Sequence, residues 1–326
     1  MVTANAVLSA ELLMAGLFLA LVIDHVWGEP PLRWHPVVWM GRYLDWAAKR
    51  FAPQQPSSCE CQNWKIFSLG AAYWLVGAGA TIFLGLWING LLVQMPYWLS
   101  AVFLAILLKP MLAWRMLWQE VQTVDTALQQ SLDAGRLQLA RLVSRDVSQL
   151  SASDIREAAI ETLAENLNDS VVAPVIWFVL LGLPAAMLYR FANTADAMWG
   201  YPAQRGAYYW QWAGKWAARA DDVLSWLPAR ITALLMLLVH SSRLQNMAKI
   251  QLEAVKTPSP NSGWPMAAIA LALGLRLGKP GVYVLNAQGR ACDFTDIPKA
   301  IKLARNTLIA VFLAAQIFLL LIILCR

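Results

Sequence analysis

The chain has 326 residues, of which 59% are apolar and 14% are charged, and its formal net charge is +6. A soluble domain usually carries roughly 25% charged residues, so the composition excludes an ordinary soluble domain. Long apolar runs and 17 tryptophans predict an all-α, polytopic helical membrane protein instead. No dense Lys/Arg cluster occurs, so nucleic acid is not an expected partner. The four cysteines show no complete zinc spacing and are expected to be free thiols.

Apolar runs predict the membrane spans in chain order. Residues 6–23 form the first span, residues 66–93 the second, and the third begins at 97–108. Residues 307–324 are predicted to be a C-terminal transmembrane anchor. The whole chain, 1–326, is predicted to be a single integral-membrane domain.

Charge distribution predicts the orientation of the chain. Amphipathic stretches at 43–51 and 116–142 lie between the spans and predict helices outside the bilayer core. Basic residues concentrate in the polar segments after the first and third spans, whereas the turn at 94–96 has no charge. Because cytoplasmic loops carry the excess of Lys and Arg, both polar segments are predicted to be cytoplasmic. We therefore expect a multi-pass protein of the bacterial cytoplasmic (inner) membrane, with its site facing the cytoplasm.

A predicted helix after residue 150 carries three glutamates on one face. Glu157, Glu161 and Glu165 recur at i, i+4, a spacing at which like charges repel by a few tenths of a kcal/mol per pair. Such a face must be solvated or must meet cations, a metal ion or a basic substrate. Asn168 and Asp169 are expected at the end of this helix.

The apolar segment 171–188 that follows is interrupted by Gly182-Leu183-Pro184. If it crossed the membrane, the basic residues that follow it would lie outside, against the charge rule. We therefore predict a re-entrant segment, which keeps the polar motifs on both of its sides at the cytoplasmic face.

Six motifs follow one another between about residues 24 and 278. They are, in order, D-x-x-x-G-E-P at 24–30 with His35-Pro36-Val37; Arg145-Asp146; E-T-x-A-E-N at 161–166, followed by Asp169 and Val172-Ala173-Pro174; N-T-x-D-x-M-x-G-Y at 193–201; A-R-x-D-D-V at 218–223 with W-L-P-A-R at 226–230; and Ser259-Pro260-Asn261. With these motifs in this order, the chain resembles the membrane-bound adenosylcobinamide-phosphate synthases of cobalamin biosynthesis, the CbiB/CobD family.

The resemblance implies an amide-forming ligase that joins adenosylcobyric acid to an aminopropanol phosphate, giving adenosylcobinamide phosphate. ATP would be a co-substrate and Mg²⁺ the cofactor. The implied partners are the corrinoid, the phosphoamine and the lipid bilayer, and the resemblance leaves open a homo-oligomer and contacts with other late membrane enzymes of the pathway. Neither G-x-x-x-x-G-K-[ST] nor G-x-G-x-x-G occurs, so the nucleotide is expected to be held through carboxylate-bound Mg²⁺.

The resemblance and the side-chain chemistry together assign candidate roles. Carboxylates can act as bases and as oxygen ligands of Mg²⁺, and the predicted catalytic residues are Glu161, Glu165, Asp169, Asp196 and Asp221. The predicted metal ligands are Asp196, Asp221 and Asp222. Guanidinium and amide groups bind phosphate and carboxylate, and the predicted substrate-binding residues are Asp24, His35, Arg145, Asn166, Asn193, Arg219, Arg230 and Asn261.

Structural roles for the same side chains stay open. The glutamates fit a solvated helix face, the asparagines fit helix caps and the arginines fit ion pairs. Asp221 and Asp222 also fit an N-terminal cap of the next helix. Since Arg219 lies i, i+3 from Asp222, we expect these two to pair and Asp221 to face the metal.

Two rival functions stay open, and several positions depart from the family pattern. A non-catalytic membrane sensor of the AmpE type is the main alternative, and a transporter would be indicated by internal repeats, of which none is visible. Met266 stands where the family usually places Glu, and we expect it to weaken or redirect synthesis. Gly278-Lys279-Pro280 stands where Gly-Gly-Pro is usual.

Overall fold

The computed structural model describes residues 8–56, 59–240 and 243–325. It is 74% helical with almost no sheet, which confirms the all-α class. Five helical segments are long and apolar enough to cross a membrane, as expected of a polytopic membrane protein. They are Ala10–Trp27, Glu60–Leu92, Tyr97–Gln130, Ala152–Leu181 and Asp296–Leu324.

Helices and two short hairpins follow one another along the chain. The helices are α1 (Ala10–Trp27), α2 (Pro36–Phe51), α3 (Glu60–Leu92), α4 (Tyr97–Leu108), α5 (Trp114–Gln130), α6 (Leu132–Leu139), α7 (Ala152–Leu167), α8 (Ala173–Leu181), α9 (Leu183–Trp199), α10 (Lys215–Leu238), α11 (Arg243–Ala254), α12 (Gly263–Leu273) and α13 (Asp296–Leu324). The antiparallel hairpins pair β1 (Gln204–Arg205) with β2 (Tyr208–Tyr209) and β3 (Leu277–Lys279) with β4 (Tyr283–Leu285).

The helices fall into two compact units. Among the described residues, those within 1–112, 174–224 and 318–326 belong to the first unit, and those within 113–173 and 225–317 belong to the second. In the first, α2, α3 and α9 pack around an aromatic core that includes Phe51, Trp74, Phe191 and Trp199, all less than a tenth exposed. Gly77 lets α3 approach α9, because a side chain at that position would collide with the Phe191 ring. Each buried aromatic side chain contributes about 1.5–3 kcal/mol of transfer free energy.

Helix α7 is the centre of the second unit. Helices α5, α6 and α12 and the β3–β4 hairpin all pack against it. Ser151 begins the helix with a capping box: its Oγ accepts from the Asp154 N–H at 3.3 Å, and its own N–H donates to Asp154 Oδ2 at 2.9 Å. A cap of this kind stabilises a helix by about 1 kcal/mol. The sequence motif with three glutamates is thereby held in a packed helix.

The chain does not leave the helical path at the end of α7. A π-helical turn, Asn168–Val172, carries it directly into α8. The Ala113 N–H donates to the Ser170 carbonyl at 3.0 Å, and Thr232 Oγ1 donates to Asn168 Oδ1 at 3.0 Å. Asn168 and Asp169 therefore lie at the end of α7, as expected, but the chain continues through them in a helical conformation. π-Helical turns inside helices occur frequently at functional sites.

The interruption predicted at residues 182–184 is confirmed. Gly182 has a φ of 77°, which favours glycine because no Cβ is present, and Pro184 lies in the first turn of α9. The apolar stretch therefore consists of the end of one helix and the start of another. Its re-entrance into the bilayer stays a prediction.

Several predicted boundaries move in the structure. The predicted bounds 97–108 match α4, whereas α13 begins at Asp296, well before residue 307. The first predicted span begins at residue 6, outside the described residues, and α1 ends at Trp27. The stretch 116–142 forms two helices, α5 and α6. Helix α10 begins at Lys215, so Asp221 and Asp222 lie inside it, and their interpretation as an N-terminal cap is wrong.

Candidate functional site

A buried ionic network links the acidic residues of the first motif, Asp24 and Glu29, to Lys109. Lys109 Nζ lies 3.1 Å from Asp24 Oδ1 and 2.7 Å from Glu29 Oε1, and the Lys109 and Asp24 side chains are only 3% and 1% exposed. Glu29 Oε2 in turn lies 3.0 Å from His35 Nε2. We call Asp24, Glu29, His35 and Lys109 the Asp24 network. It fixes the loop between α1 and α2, and substrate binding by Asp24 and His35 stays a prediction.

The two ring nitrogens of His35 have different partners. Nδ1 accepts the Val37 N–H at 3.3 Å and so begins α2, which assigns the proton to Nε2 and makes it the donor to Glu29. Burial alone would raise the pKa of Glu29, but the hydrogen bonds from His35 and Lys109 and their charges outweigh burial and lower it. Glu29 is therefore held as a carboxylate.

A second cluster of polar side chains in the first unit lies between the C-terminal half of α9 and the second turn of α10. Asn193 Nδ2 donates to Asp221 Oδ1 at 3.5 Å, so two predicted site residues are brought together. The Asp196 carboxylate folds over Gly200, where any side chain would collide with it. Burial raises the pKa of Asp222, opposite to the effect expected from an ion pair with Arg219, which is exposed.

These carboxylates can supply only part of a metal site. Among residues 8–56, 59–240 and 243–325, no three His, Cys, Asp or Glu side chains lie close enough to form a complete protein cage. Mg²⁺ rarely needs one, since it usually takes one or two carboxylates together with waters and substrate phosphates. The hard oxygen donors of Asp196 and Asp221 therefore fit a Mg²⁺ ion that arrives with a nucleotide.

The second unit contains a polar cavity of about 180 Å³ against α7, which we call the α7 cavity. It is lined by Leu142, Val143, Ser144, Arg145, Ala158, Glu161, Thr162, Glu165, Asn166, Lys279 and Tyr283. Four of these are predicted site residues: Arg145, Glu161, Glu165 and Asn166. Loop 142–145, α7 and the β3–β4 hairpin each supply one wall.

Arg145 and Glu161 form the charged floor of the α7 cavity. Arg145 Nη2 donates to Glu161 Oε2 at 3.2 Å, and the Glu161 residue is only 5% exposed. Glu157 is 6% exposed, so the interpretation of these two glutamates as a solvated helix face is wrong. The Tyr283 hydroxyl faces Glu161, and burial together with that carboxylate raises the pKa of Tyr283, which keeps the hydroxyl protonated as a donor. Glu165 is less buried and opens into the cavity.

Two further site residues meet at the start of α12. Arg230 Nη1 donates to Asn261 Oδ1 at 2.6 Å, and Nη2 donates to the Pro260 carbonyl at 3.1 Å. The guanidinium lies over the Trp226 and Trp264 rings, 4.6 and 4.7 Å from their centroids. Within the described part of the chain, Arg230 forms no salt bridge with a carboxylate. Its guanidinium contacts carbonyl oxygens and indole faces instead, so the ion-pair interpretation of Arg230 is wrong.

The remaining predicted residues take local contacts. Asn166 Nδ2 donates to the Thr162 carbonyl one turn earlier at 3.0 Å, and Asp169 Oδ1 accepts from Asn168 Nδ2 at 2.8 Å. The sequence did not single out Lys109 and Tyr283 as site residues. A lysine directly after the apolar stretch 97–108 was a signal that could have been used, because a charge at a membrane border usually has a partner.

The fold and these clusters define a polytopic helical membrane protein with paired carboxylates and cations in small polar cavities. A family model described as "CobD/Cbib protein" matches residues 17–304, and the chain belongs to this family. It is 42% identical over 306 residues to the "Probable cobalamin biosynthesis protein CobD" of Methanothermobacter thermautotrophicus, covering 92% of this chain and 95% of the relative.

Two further relatives carry similar names. The "Probable cobalamin biosynthesis protein CobD" of Pyrococcus abyssi is 38% identical over 87% of this chain and 88% of its own. The "Cobalamin biosynthesis protein CobD" of Brucella suis is 35% identical over 91% of this chain and 94% of its own. No solved structure matches the chain.

Proposed function

We propose that this protein is the amide-forming ligase of cobalamin biosynthesis that joins adenosylcobyric acid to an aminopropanol phosphate and releases adenosylcobinamide phosphate, with ATP as co-substrate. Family membership and the names of the relatives support the pathway. The α7 cavity carries the proposal for the reaction. It presents a half-buried carboxylate beside two cations, and amine deprotonation and anion binding require these groups.

Amide formation needs an activated acid, because a carboxylate oxygen is a poor leaving group. ATP would turn that oxygen into part of a phosphate-bearing leaving group. The amine nitrogen then forms the C–N bond as the C–O bond breaks, and the nitrogen gives up one proton. Glu165 suits the role of acceptor because it opens into the cavity, whereas Glu161 is committed to Arg145. Glu161 would orient Arg145 and Tyr283.

Asp196 and Asp221 would be the principal ligands of Mg²⁺, with Asn193 orienting Asp221, and Asp222 would be a minor ligand. The ion would neutralise charge on the nucleotide phosphates when bound. Arg230 and Asn261 would bind a carboxylate or phosphate of the corrinoid or nucleotide, because the guanidinium has no carboxylate to neutralise it within the described residues. Asp24, His35, Asn166, Asp169 and Arg219 are proposed to shape the substrate sites.

The proposal places the protein in the cytoplasmic membrane with the reaction on the cytoplasmic side. The five apolar helical segments support the membrane, and the basic residues of the segments between them support the orientation. A homo-oligomer and contacts with other late pathway enzymes stay predictions. The AmpE-type sensor has no observation in its favour.

The test is product formation by purified protein supplied with adenosylcobyric acid, aminopropanol phosphate, ATP and Mg²⁺, followed by mass spectrometry. Product with the mass of adenosylcobinamide phosphate is expected only when all four are present. Its absence from a folded, monodisperse preparation would contradict the proposal.

A further inference from the structure

The β3–β4 hairpin places a lysine and a tyrosine side by side on one wall of the α7 cavity. Lys279 and Tyr283 are direct cross-strand partners in the antiparallel register. Partners of this kind project their side chains to the same face of a hairpin. Both line the α7 cavity, so the hairpin presents an ammonium and a hydroxyl to the same small space.

Three cations line this wall and the cavity beside it, and a single one of them forms a salt bridge within the described residues. A second cavity of about 130 Å³ adjoins the first and shares Arg145, Lys279 and Tyr283 with it, and its further lining residues include Arg276, Asp154 and Glu157. Arg145 has a salt bridge with Glu161. Neither Lys279 nor Arg276 forms a salt bridge with any described residue, so their charges can serve an external anion. Tyr283 adds a hydroxyl donor.

The opposite wall of the α7 cavity has the opposite charge. Glu165 and Asn166 line it from α7, one turn beyond the buried Glu161. The cavity therefore has a cationic end under the hairpin and an anionic end on α7. Its volume of about 180 Å³ lies well below the roughly 300–1,000 Å³ of pockets for drug-sized ligands. A small molecule with a charge of each sign at its two ends fits this description, and a corrinoid ring does not.

We propose that the α7 cavity is the binding site of a short amino-alcohol phosphate, with its phosphate on Lys279, Arg145 and Tyr283 and its ammonium on Glu165. The proposal rests on the proposed function for the identity of the ligand, but the division of the cavity into two charged ends is independent of it. Lys279 is the main phosphate-binding residue, since the charge of Arg145 is already neutralised by Glu161. Glu165, holding the ammonium, is also placed to receive its proton.

Calorimetric titration of the full-length protein in detergent, without corrinoid or nucleotide, tests the two ends separately. The ligands are 1-aminopropan-2-yl phosphate, 1-aminopropan-2-ol, which lacks the phosphate, and isopropyl phosphate, which lacks the amine. Each single-ended ligand is expected to bind roughly tenfold or more weakly than the complete one, as loss of a charge-assisted contact predicts.

Variants assign each end to its residue. Lys279→Met is expected to weaken 1-aminopropan-2-yl phosphate binding roughly tenfold and to leave 1-aminopropan-2-ol binding unchanged. Glu165→Gln should abolish the advantage of 1-aminopropan-2-yl phosphate over isopropyl phosphate. Lys249→Met, at an exposed lysine of α11 in the same unit, is the matched control and should bind like wild type. If Lys279→Met has a lower melting temperature than wild type, the titrations are carried out with Lys279→Gln instead.

Wild-type affinity in both Lys279 variants would overturn the proposal, as would weakened ATP binding with unchanged phosphoamine binding. The ligation assay separates this result from the proposed function. Wild-type turnover with an unchanged KM for the phosphoamine in Lys279→Met would leave the function standing and remove the site. Absent turnover with Lys279-dependent binding would support the site and contradict the function.

Discussion

Lys109 and Asp24 form a salt bridge of 3.1 Å between two side chains that are almost completely buried. The two residues are far apart in sequence, and Glu29 neutralises the same lysine at 2.7 Å. Desolvating three charges costs several kcal/mol per ion, which the contacts offset only while every partner is present. The first sequence motif is thus anchored by a residue that lies outside all six motifs.

Removing Lys109 should therefore damage folding. Lys109→Met leaves Asp24 and Glu29 buried without their cation, and we expect about 3–5 kcal/mol of destabilisation, measured as thermal or denaturant unfolding in detergent. Lys49→Met is the matched control, because Lys49 pairs with Asp45 at an exposed surface, where water screens the pair, and its loss should cost far less stability than the loss of Lys109. Equal effects of the two substitutions would contradict the energetic role of the Asp24 network.

The lowered pKa of Glu29 predicts a dependence of stability on pH. Its native pKa lies below its ordinary value of 4.5, so Glu29 contributes stability that is fully present above pH 4.5 and is lost as the pH falls through the native value. Glu29→Gln should therefore lower the melting temperature at pH 7 and lose much of this difference in acid. A difference that stays constant between pH 7 and pH 3 would be inconsistent with this assignment.

The sequence predicted the helical class and the interruption at Gly182, because apolar length and a Gly-Pro pair act locally. The sequence-based prediction failed where tertiary contacts determine the local backbone structure. The π-helical turn at Asn168–Val172 is hydrogen-bonded to Thr232, a residue far away in the chain. The start of α10 at Lys215 could not be derived from the polar composition before Asp221.

The candidate site was predicted to a similar extent. Repetition at i, i+4 correctly placed Glu161 and Glu165 together on one face, but not the burial of Glu161, because its cation Arg145 comes from a loop whose position no local pattern encodes. Arg230 and Asn261 were named separately, and only the structure pairs them. Lys279 stood out in the sequence only as a departure from the family pattern.

Asp221 and Asp222 should behave differently when neutralised. Asp221 is oriented by Asn193, and Asp221→Asn removes a charge and an oxygen donor, so we expect turnover to fall by at least roughly a hundredfold with folding retained. Asp222→Asn should change turnover much less. Its raised pKa shows that burial disfavours the charged form, so the neutral amide should also leave the melting temperature at pH 7 largely unchanged. Turnover and melting temperature are measured for both variants. A larger loss of turnover in Asp222→Asn than in Asp221→Asn would contradict this assignment of roles.

Met266 offers a test of the departure from the family pattern. It is 3% exposed, and its Sδ lies 3.8 Å from the Tyr283 hydroxyl. Met266→Glu would bury a carboxylate beside Tyr283 and near Glu161, so we expect a lower melting temperature and altered Mg²⁺ dependence of turnover. Met266→Leu keeps the volume and should cost less than about 1.5 kcal/mol. Unchanged activity, stability and Mg²⁺ dependence in Met266→Glu would show that this position has no such role.

Oxygen tracing tests the central claim, ATP-driven amide formation, most directly. Adenosylcobyric acid labelled with ¹⁸O at both oxygens of the reacting carboxylate is incubated with purified protein, aminopropanol phosphate, ATP and Mg²⁺. We predict one ¹⁸O in the amide carbonyl of the product and the other in inorganic phosphate or AMP, because activation must carry one carboxylate oxygen away. ATP turnover without labelled phosphate or AMP, or no product from folded protein, would contradict the account.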